Sequence, residues 1–202
     1  MSPTHFIAVR VLEPSVLESF GQFLEHVKRV DGELARSNCL LSKSHVTLMT
    51  LNIPAGQEED VKRIFQESLD RQRPLMERVT FQFEGVGYCR ISGGNDMLFS
   101  HVRLPDGQRS FHYVLKNLKS TIEKCPGVSA QLSSFLHATL VNTKIGRNLT
   151  GNKVRIGPEI YEPYVLHEFG AQRVGTLQLL KMGRGEGGYY KIVAEGKIAE
   201  SE

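Results

Sequence analysis

Two hundred and two residues, 40% apolar and 23% charged, suffice for one compact domain with a sizeable core, or two small lobes sharing one, and exclude a disordered tail or a peptide hormone. Lys plus Arg number 25 against 22 Asp plus Glu, and a net charge of +3 is less basic than a dedicated electrostatic nucleic-acid binder would be. Met1 to Glu13 shows no signal-peptide pattern, no window stays apolar long enough to cross a bilayer, and Cys39, Cys89 and Cys125 are too few and too scattered for a disulfide framework or a zinc site. A soluble protein of the cytosol or nucleus with reduced thiols is expected, with no membrane partner.

Phe6 to Leu12 alternates as a strand, and Pro14 opens a helix carrying Val16, Phe20, Phe23, Leu24 and Val27 at helical spacing. His45 to Ile53 reads as a second strand, followed by a helix with Val61, Ile64, Phe65 and Leu69 and a strand at Val79 to Phe83. After Gly93-Gly94 the order begins again: a strand at Met97 to Leu104, a helix with Phe111, Val114, Leu115, Leu118 and Ile122, and a strand at Leu136 to Val141. A helix from Pro158, taken to include His167, and a strand at Thr176 to Leu180 complete the second round. His45-Val46-Thr47-Leu48 aligns with His137-Ala138-Thr139-Leu140 at 137 − 45 = 92, and Phe6 is placed against Leu98 at the same offset. The pattern predicts a duplicated α+β unit in a single domain, residues 1–202, with lobes of roughly 1–92 and 93–202 around a central cleft and pseudo-twofold symmetry.

Residues i and i+2 of a strand share a face, so His45 projects with Thr47, and His137 with Thr139. If the pseudo-twofold axis runs between these strands, two imidazoles titrating near ~6.5 and two hydroxyls meet at one site. That set suits phosphodiester cleavage: one His as base, the other as acid, the Thr hydroxyls on non-bridging phosphate oxygens. A single His-x-Thr occurs often by chance; two at matching repeat positions do not. Two nitrogens without a Cys or carboxylate at ligand spacing are a poor metal site, so no metal and no cofactor is expected. His5, His26, His101, His112 and His167 are read as surface positions.

These paired motifs, Ser44-His45-Val46-Thr47-Leu48 and Leu136-His137-Ala138-Thr139-Leu140, resemble the signatures of the 2H (two-histidine) phosphoesterase superfamily. Thr4 to Ala8, Phe83 to Tyr88, Ile156 to Tyr161, His167 to Gly170 and Gly188 to Tyr190 are similar to the 2′,5′ RNA ligase-like central domain of the A-kinase anchoring proteins, so the likeness spans nearly the whole chain. The resemblance implies a bilobal α+β fold of the LigT type, an RNA or oligonucleotide substrate with 2′,5′-linked oligoadenylate favoured, AMP- or CMP-like products and a monomer. It makes His45 and His137 the acid–base pair, Thr47 and Thr139 the phosphate ligands, and Phe6 a candidate nucleotide contact. The chain departs from the family at Leu136, where Pro is usual, at Pro163, which interrupts a helix, and in showing no kinase-anchoring helix after Ile198. A nucleotide- or RNA-binding regulatory module without turnover is the alternative. Gly183 to Gly188 is read as a hairpin loop whose Arg184, with Lys181, could touch an RNA backbone, and of Tyr189 and Tyr190 at most one can line the cleft, since neighbours in a strand face opposite ways.

Overall fold

The computed structural model describes residues 2–76, 78–105, 108–183 and 188–198. Arg184 lies outside the described residues. The elements run β1 (His5–Arg10), α1 (Pro14–Val30), β2 (His45–Asn52), α2 (Glu58–Gln72), β3 (Thr80–Ile91), β4 (Asn95–Arg103), α3 (Gln108–Ile122), β5 (Ser129–Leu132), β6 (His137–Asn142), α4 (Thr143–Thr150), α5 (Pro158–Tyr161), β7 (Glu168–Arg173), β8 (Thr176–Lys181) and β9 (Lys191–Lys197). All strands join one antiparallel sheet in the order β7-β3-β4-β6-β2-β1-β8-β9, with β5 paired to the far end of β2.

The order is a palindrome about the β6–β2 junction: β4 answers β1, β6 answers β2, and β3 answers β8. The two half-sheets are not the two halves of the chain, however. β3, encoded before residue 92, pairs with β4, and β8, encoded after it, pairs with β1. Each chain half therefore gives its third strand to the other half-sheet. The helices follow the same exchange: Phe20 of α1 packs edge-on against Phe83 and Phe169, while α2 lies on β9, where Leu69 fills the space a side chain at Gly196 would take.

Amphipathicity explains why the helices form. α1 has Pro at its first turn, buries Val16, Phe20, Phe23, Leu24 and Val27, and ends with Lys28 and Arg29 at the negative pole of the dipole. α2 begins Glu58, Glu59, Asp60, the matching charge at the other pole. The expected helix after Pro158 is only four residues long. Pro163 cannot donate to a continuing helix, the chain tightens into a 3-10 turn at Glu162–Tyr164, and His167 stands in the connection before β7. β7 itself carries no β-branched residue and offers no strand signal.

The repeat is visible in the burial of the two central strands. Along β2 and β6 burial alternates through His-x-Thr and is then broken by two consecutive core residues, Leu48-Met49 and Leu140-Val141. The cause is a bulge in each: Ile7 faces Met49 while Ala8 faces Thr47, and Leu98 faces Val141 while Phe99 faces Thr139, leaving Leu48 and Leu140 unpaired. Phe6 pairs with Thr50 and Met97 with Asn142, so Phe6 answers Met97 (97 − 6 = 91) while Thr50 answers Asn142 (142 − 50 = 92). The expected match of Phe6 to Leu98 is therefore one residue out of register, and such a slip reverses the face: Leu98 is wholly buried in the core.

Candidate functional site

β2 and β6 are bridged at one pair, Val46 with Ala138. Antiparallel continuation from that pair sets His45 opposite Thr139 and Thr47 opposite His137, all four on the face away from the core. The two histidines and two threonines are thus brought together at the centre of the sheet, where the half-sheets join. Ser133, leading into β6, ties the junction, its amide donating to the Leu48 carbonyl at 2.9 Å and its hydroxyl to the Thr47 carbonyl at 2.8 Å.

Each imidazole is held in the same manner. The Nδ1 of His45 donates to the Lys43 carbonyl at 2.7 Å, and the Nδ1 of His137 to the Phe135 carbonyl at 3.4 Å, in both cases the residue two positions upstream. A carbonyl can only accept, so the proton of each neutral ring sits on Nδ1 and Nε2 keeps its lone pair for chemistry. Burial pushes the proton affinity of both rings below the ordinary 6.5, partly opposed by these carbonyls; the charge of His137 lowers His45 further, and that of His101 lowers His137. The Thr139 hydroxyl rests on the Met97 sulfur at 3.6 Å, a weak acceptor easily exchanged for a phosphate oxygen.

Aromatic rings brace both histidines. Phe6 and Tyr190 lie 5.4 and 5.3 Å from the His45 ring, and Phe99 and Phe135 lie 5.3 and 4.6 Å from that of His137. Phe6 is on the site face as its strand position requires, but it is 2% exposed, with its ring between His45 and Tyr190 in a small cluster with Ala8, Leu180 and Tyr189. It forms a floor under His45. Of the adjacent tyrosines, Tyr190 reaches His45, while Tyr189 is buried, carries the Arg10 guanidinium 4.3 Å above its ring and donates its hydroxyl to Gln178 at 3.0 Å. Burial drives the Tyr189 phenol up to about 12.

The sequence reading passes over Phe99 and Phe135 and sets His101 aside as a surface position. Phe135, 44% exposed and stacked on His137, has a sequence signal in an aromatic two residues before the motif; His101, opposite His137 on β4, has only its register. Arg10 opposite His45 and His101 opposite His137 hold equivalent places, 101 − 10 = 91. Each also lines a cavity, of about 310 and 320 Å³, whose walls include neither His45 nor His137. His5 is no surface residue: 3% exposed, it takes the Thr4 hydroxyl on Nδ1 at 2.8 Å and donates from Nε2 to Glu58 at 2.9 Å, and Glu58 also receives Lys181 at 2.7 Å. Among the described residues no group of three or more His, Cys, Asp or Glu is gathered that could hold a metal, and no helix is long and apolar enough to cross a membrane.

Known proteins share this architecture. A-kinase anchor protein 7 isoform gamma of Homo sapiens is 22% identical over 199 residues, covering 93% of this chain and 55% of its own length, so the chain spans about half of that relative. TT0787 of Thermus thermophilus superposes with a TM-score of 0.64 at 16% identity, covering 98% of this chain and all of its own. E. coli LigT complexed with 3′-AMP gives 0.61 at 14% identity, covering 96% of each chain, and the MHV ns2 PDE domain 0.52 at 20%, covering 90% of this chain and all of its own. At these identities the solved structures speak for the fold, which is the α+β architecture of the LigT-like 2H phosphoesterases. Residues 3–198 match the AKAP7 2′5′ RNA ligase-like domain, nearly the full length, and the chain accordingly belongs to that family, within the 2H phosphoesterase superfamily.

Proposed function

We propose that the protein is a metal-independent phosphodiesterase acting on RNA or oligonucleotides, with 2′,5′-linked oligoadenylate as the favoured substrate and AMP- or CMP-like nucleotides as products. The observation that carries it is the pair of imidazoles with Nδ1 tied to a carbonyl and Nε2 open, each opposite a threonine of the other motif. One neutral imidazole takes the proton from the attacking oxygen, of water or of a neighbouring ribose hydroxyl, as the new P–O bond forms. The other, protonated, gives its proton to the departing oxygen as the old P–O bond breaks, so the pair ends with its protonation exchanged. Thr47 and Thr139 donate to the non-bridging oxygens, whose charge grows in the transition state. The charge of His137 disfavours protonation of His45, which favours the singly protonated pair this chemistry needs.

E. coli LigT has been solved with phosphate, ATP and 3′-AMP, in keeping with a nucleotide-sized ligand here. The free thiols Cys39, Cys89 and Cys125 favour a reducing compartment, the cytosol or nucleus. The test is incubation with 2′,5′-linked oligoadenylate in EDTA, following AMP release by chromatography. His45→Ala and His137→Ala are each expected to lower release by on the order of 10²–10⁴-fold. Release that survives both substitutions would overturn the mechanism; micromolar AMP binding without release from any form would leave a nucleotide-binding module.

A further inference from the structure

Charge in this chain is segregated. From Lys124 to Pro158, 158 − 124 + 1 = 35 residues around the second His-x-Thr, there is no Asp or Glu, but there are Lys124, Lys144, Arg147, Lys153 and Arg155. The fold gathers most of these beside the site. β6 runs from Thr139 through Asn142 directly into α4, whose first turn is capped by the Asn142 side chain accepting the Lys144 amide at 3.0 Å. The bulge at Leu140 returns Asn142 to the site face opposite Met97, which touches Thr139, so α4 begins about 10 Å from that threonine at the rise of a strand.

α4 seats Thr143 and Gly146 inward, Gly146 against Ser37 where a side chain would not fit, and exposes Lys144 and Arg147 at i, i+3 on its outer surface. Arg147 donates to the Gly93 carbonyl at 3.4 Å, and the Lys153 ammonium lies against Gly94, 3.6 Å from where a Cβ would stand, so both flank the turn between β3 and β4. Asp96, at the start of β4 just past that turn, is 1% exposed and committed inward: it accepts from Tyr88 at 3.0 Å, from Arg90 at 3.3 Å and from the Ile156 amide at 3.4 Å. Among the described residues no carboxylate pairs with Lys144, Arg147, Lys153 or Arg155. A row of unneutralised cations leading away from a phosphate site matches a chain of phosphates.

We infer that Lys144, Arg147 and Lys153 form a track for the backbone of a single-stranded RNA whose scissile phosphate lies between His45 and His137, so that the substrate is a polymer several nucleotides long. The inference rests on the phosphodiesterase reading for the placement of the scissile phosphate. The test compares fluorescein-labelled 2′,5′-linked oligoadenylates of three and twelve nucleotides, by anisotropy and by AMP release, with the unaltered protein and the K144Q/R147Q/K153Q variant. The 12-mer is expected to bind at least tenfold more tightly than the 3-mer, and the variant to lose that preference while binding and cleaving the 3-mer as before. For single strands each phosphate contact contributes about −0.7 to the salt slope, so three lost contacts flatten it by about 2, and the affinity lost between 50 and 200 mM salt shrinks roughly 15-fold.

A variant that keeps the length preference overturns the inference, as does equal binding of 3-mer and 12-mer, or tighter binding of a duplex of the same length. A preference that vanishes in the variant, with no cleavage by any form, supports the track and refutes the 2′,5′-phosphodiesterase reading. Cleavage of both lengths at equal efficiency by unaltered protein and variant does the reverse.

Discussion

His45 and His137 differ from free imidazoles mainly because they are partly withdrawn from water, and desolvation disfavours the charged ring. Catalysis by a base and an acid needs the pair to hold one proton. Both proton affinities lie below the usual 6.5, so the singly protonated population peaks on the acid side of that value and declines as pH rises. A bell-shaped kcat/KM profile with its maximum below pH 6.5 is expected from initial rates in buffers of constant ionic strength; a plateau extending to pH 8 would contradict it. His5 obeys the same rule with a different consequence. Its hydrogen bond to Glu58 is that of a neutral ring, because desolvation outweighs the nearby carboxylate. An unfolded chain protonates such histidines near 6.5 while the folded one resists, so stability is full above that pH and is lost as pH falls through the folded values. The melting temperature should drop between pH 7.5 and 5.5, and His5→Gln should reduce that slope, measured by differential scanning fluorimetry.

At the scale of elements, the site depends on close strand contacts that leave little tolerance. Gly87 of β3 faces Phe99 of β4, and a Cβ there would stand 2.5 Å from Phe99 Cζ and 2.7 Å from His101 Nε2. Phe99 in turn packs on His137, so Gly87→Ala should press the ring toward the imidazole. The expected outcome is a loss of about 1–3 kcal/mol in urea denaturation, typical of overpacking, together with a fall in kcat. Gly175→Ala, with no atom within 4 Å of the added carbon, should change neither. The twin bulges act at the same scale: by turning Leu48-Met49 and Leu140-Val141 into the core they leave His-x-Thr on one side and Thr50 and Asn142 on the same side beyond.

For the molecule as a whole, the exchange of β3 and β8 between half-sheets makes each chain half incomplete. Fragments 1–92 and 93–202 should each lack the circular dichroism and dispersed amide resonances of a folded domain, while their mixture regains some of both. Independent folding of either fragment would refute this. Local pattern was enough for β1, α1, β2, α2, β4, α3 and β6, because amphipathic periodicity and Pro14 are read within one segment, and for the shared placement of His45, Thr47, His137 and Thr139, because a motif repeated at a fixed offset announces itself. β7 escaped, and the helix expected from Pro158 proved far shorter, because their form is imposed from outside, by pairing with β3 and by Pro163. The sequence by itself determined the duplicated plan and the four side chains that meet at its centre, since periodicity and motif are properties of neighbouring residues. Only tertiary structure decided which half-sheet each third strand joins, which rings brace the histidines, and that α4 and the β3–β4 turn bring scattered cations beside the site, since pairing, burial and proximity are relations between residues far apart in the chain.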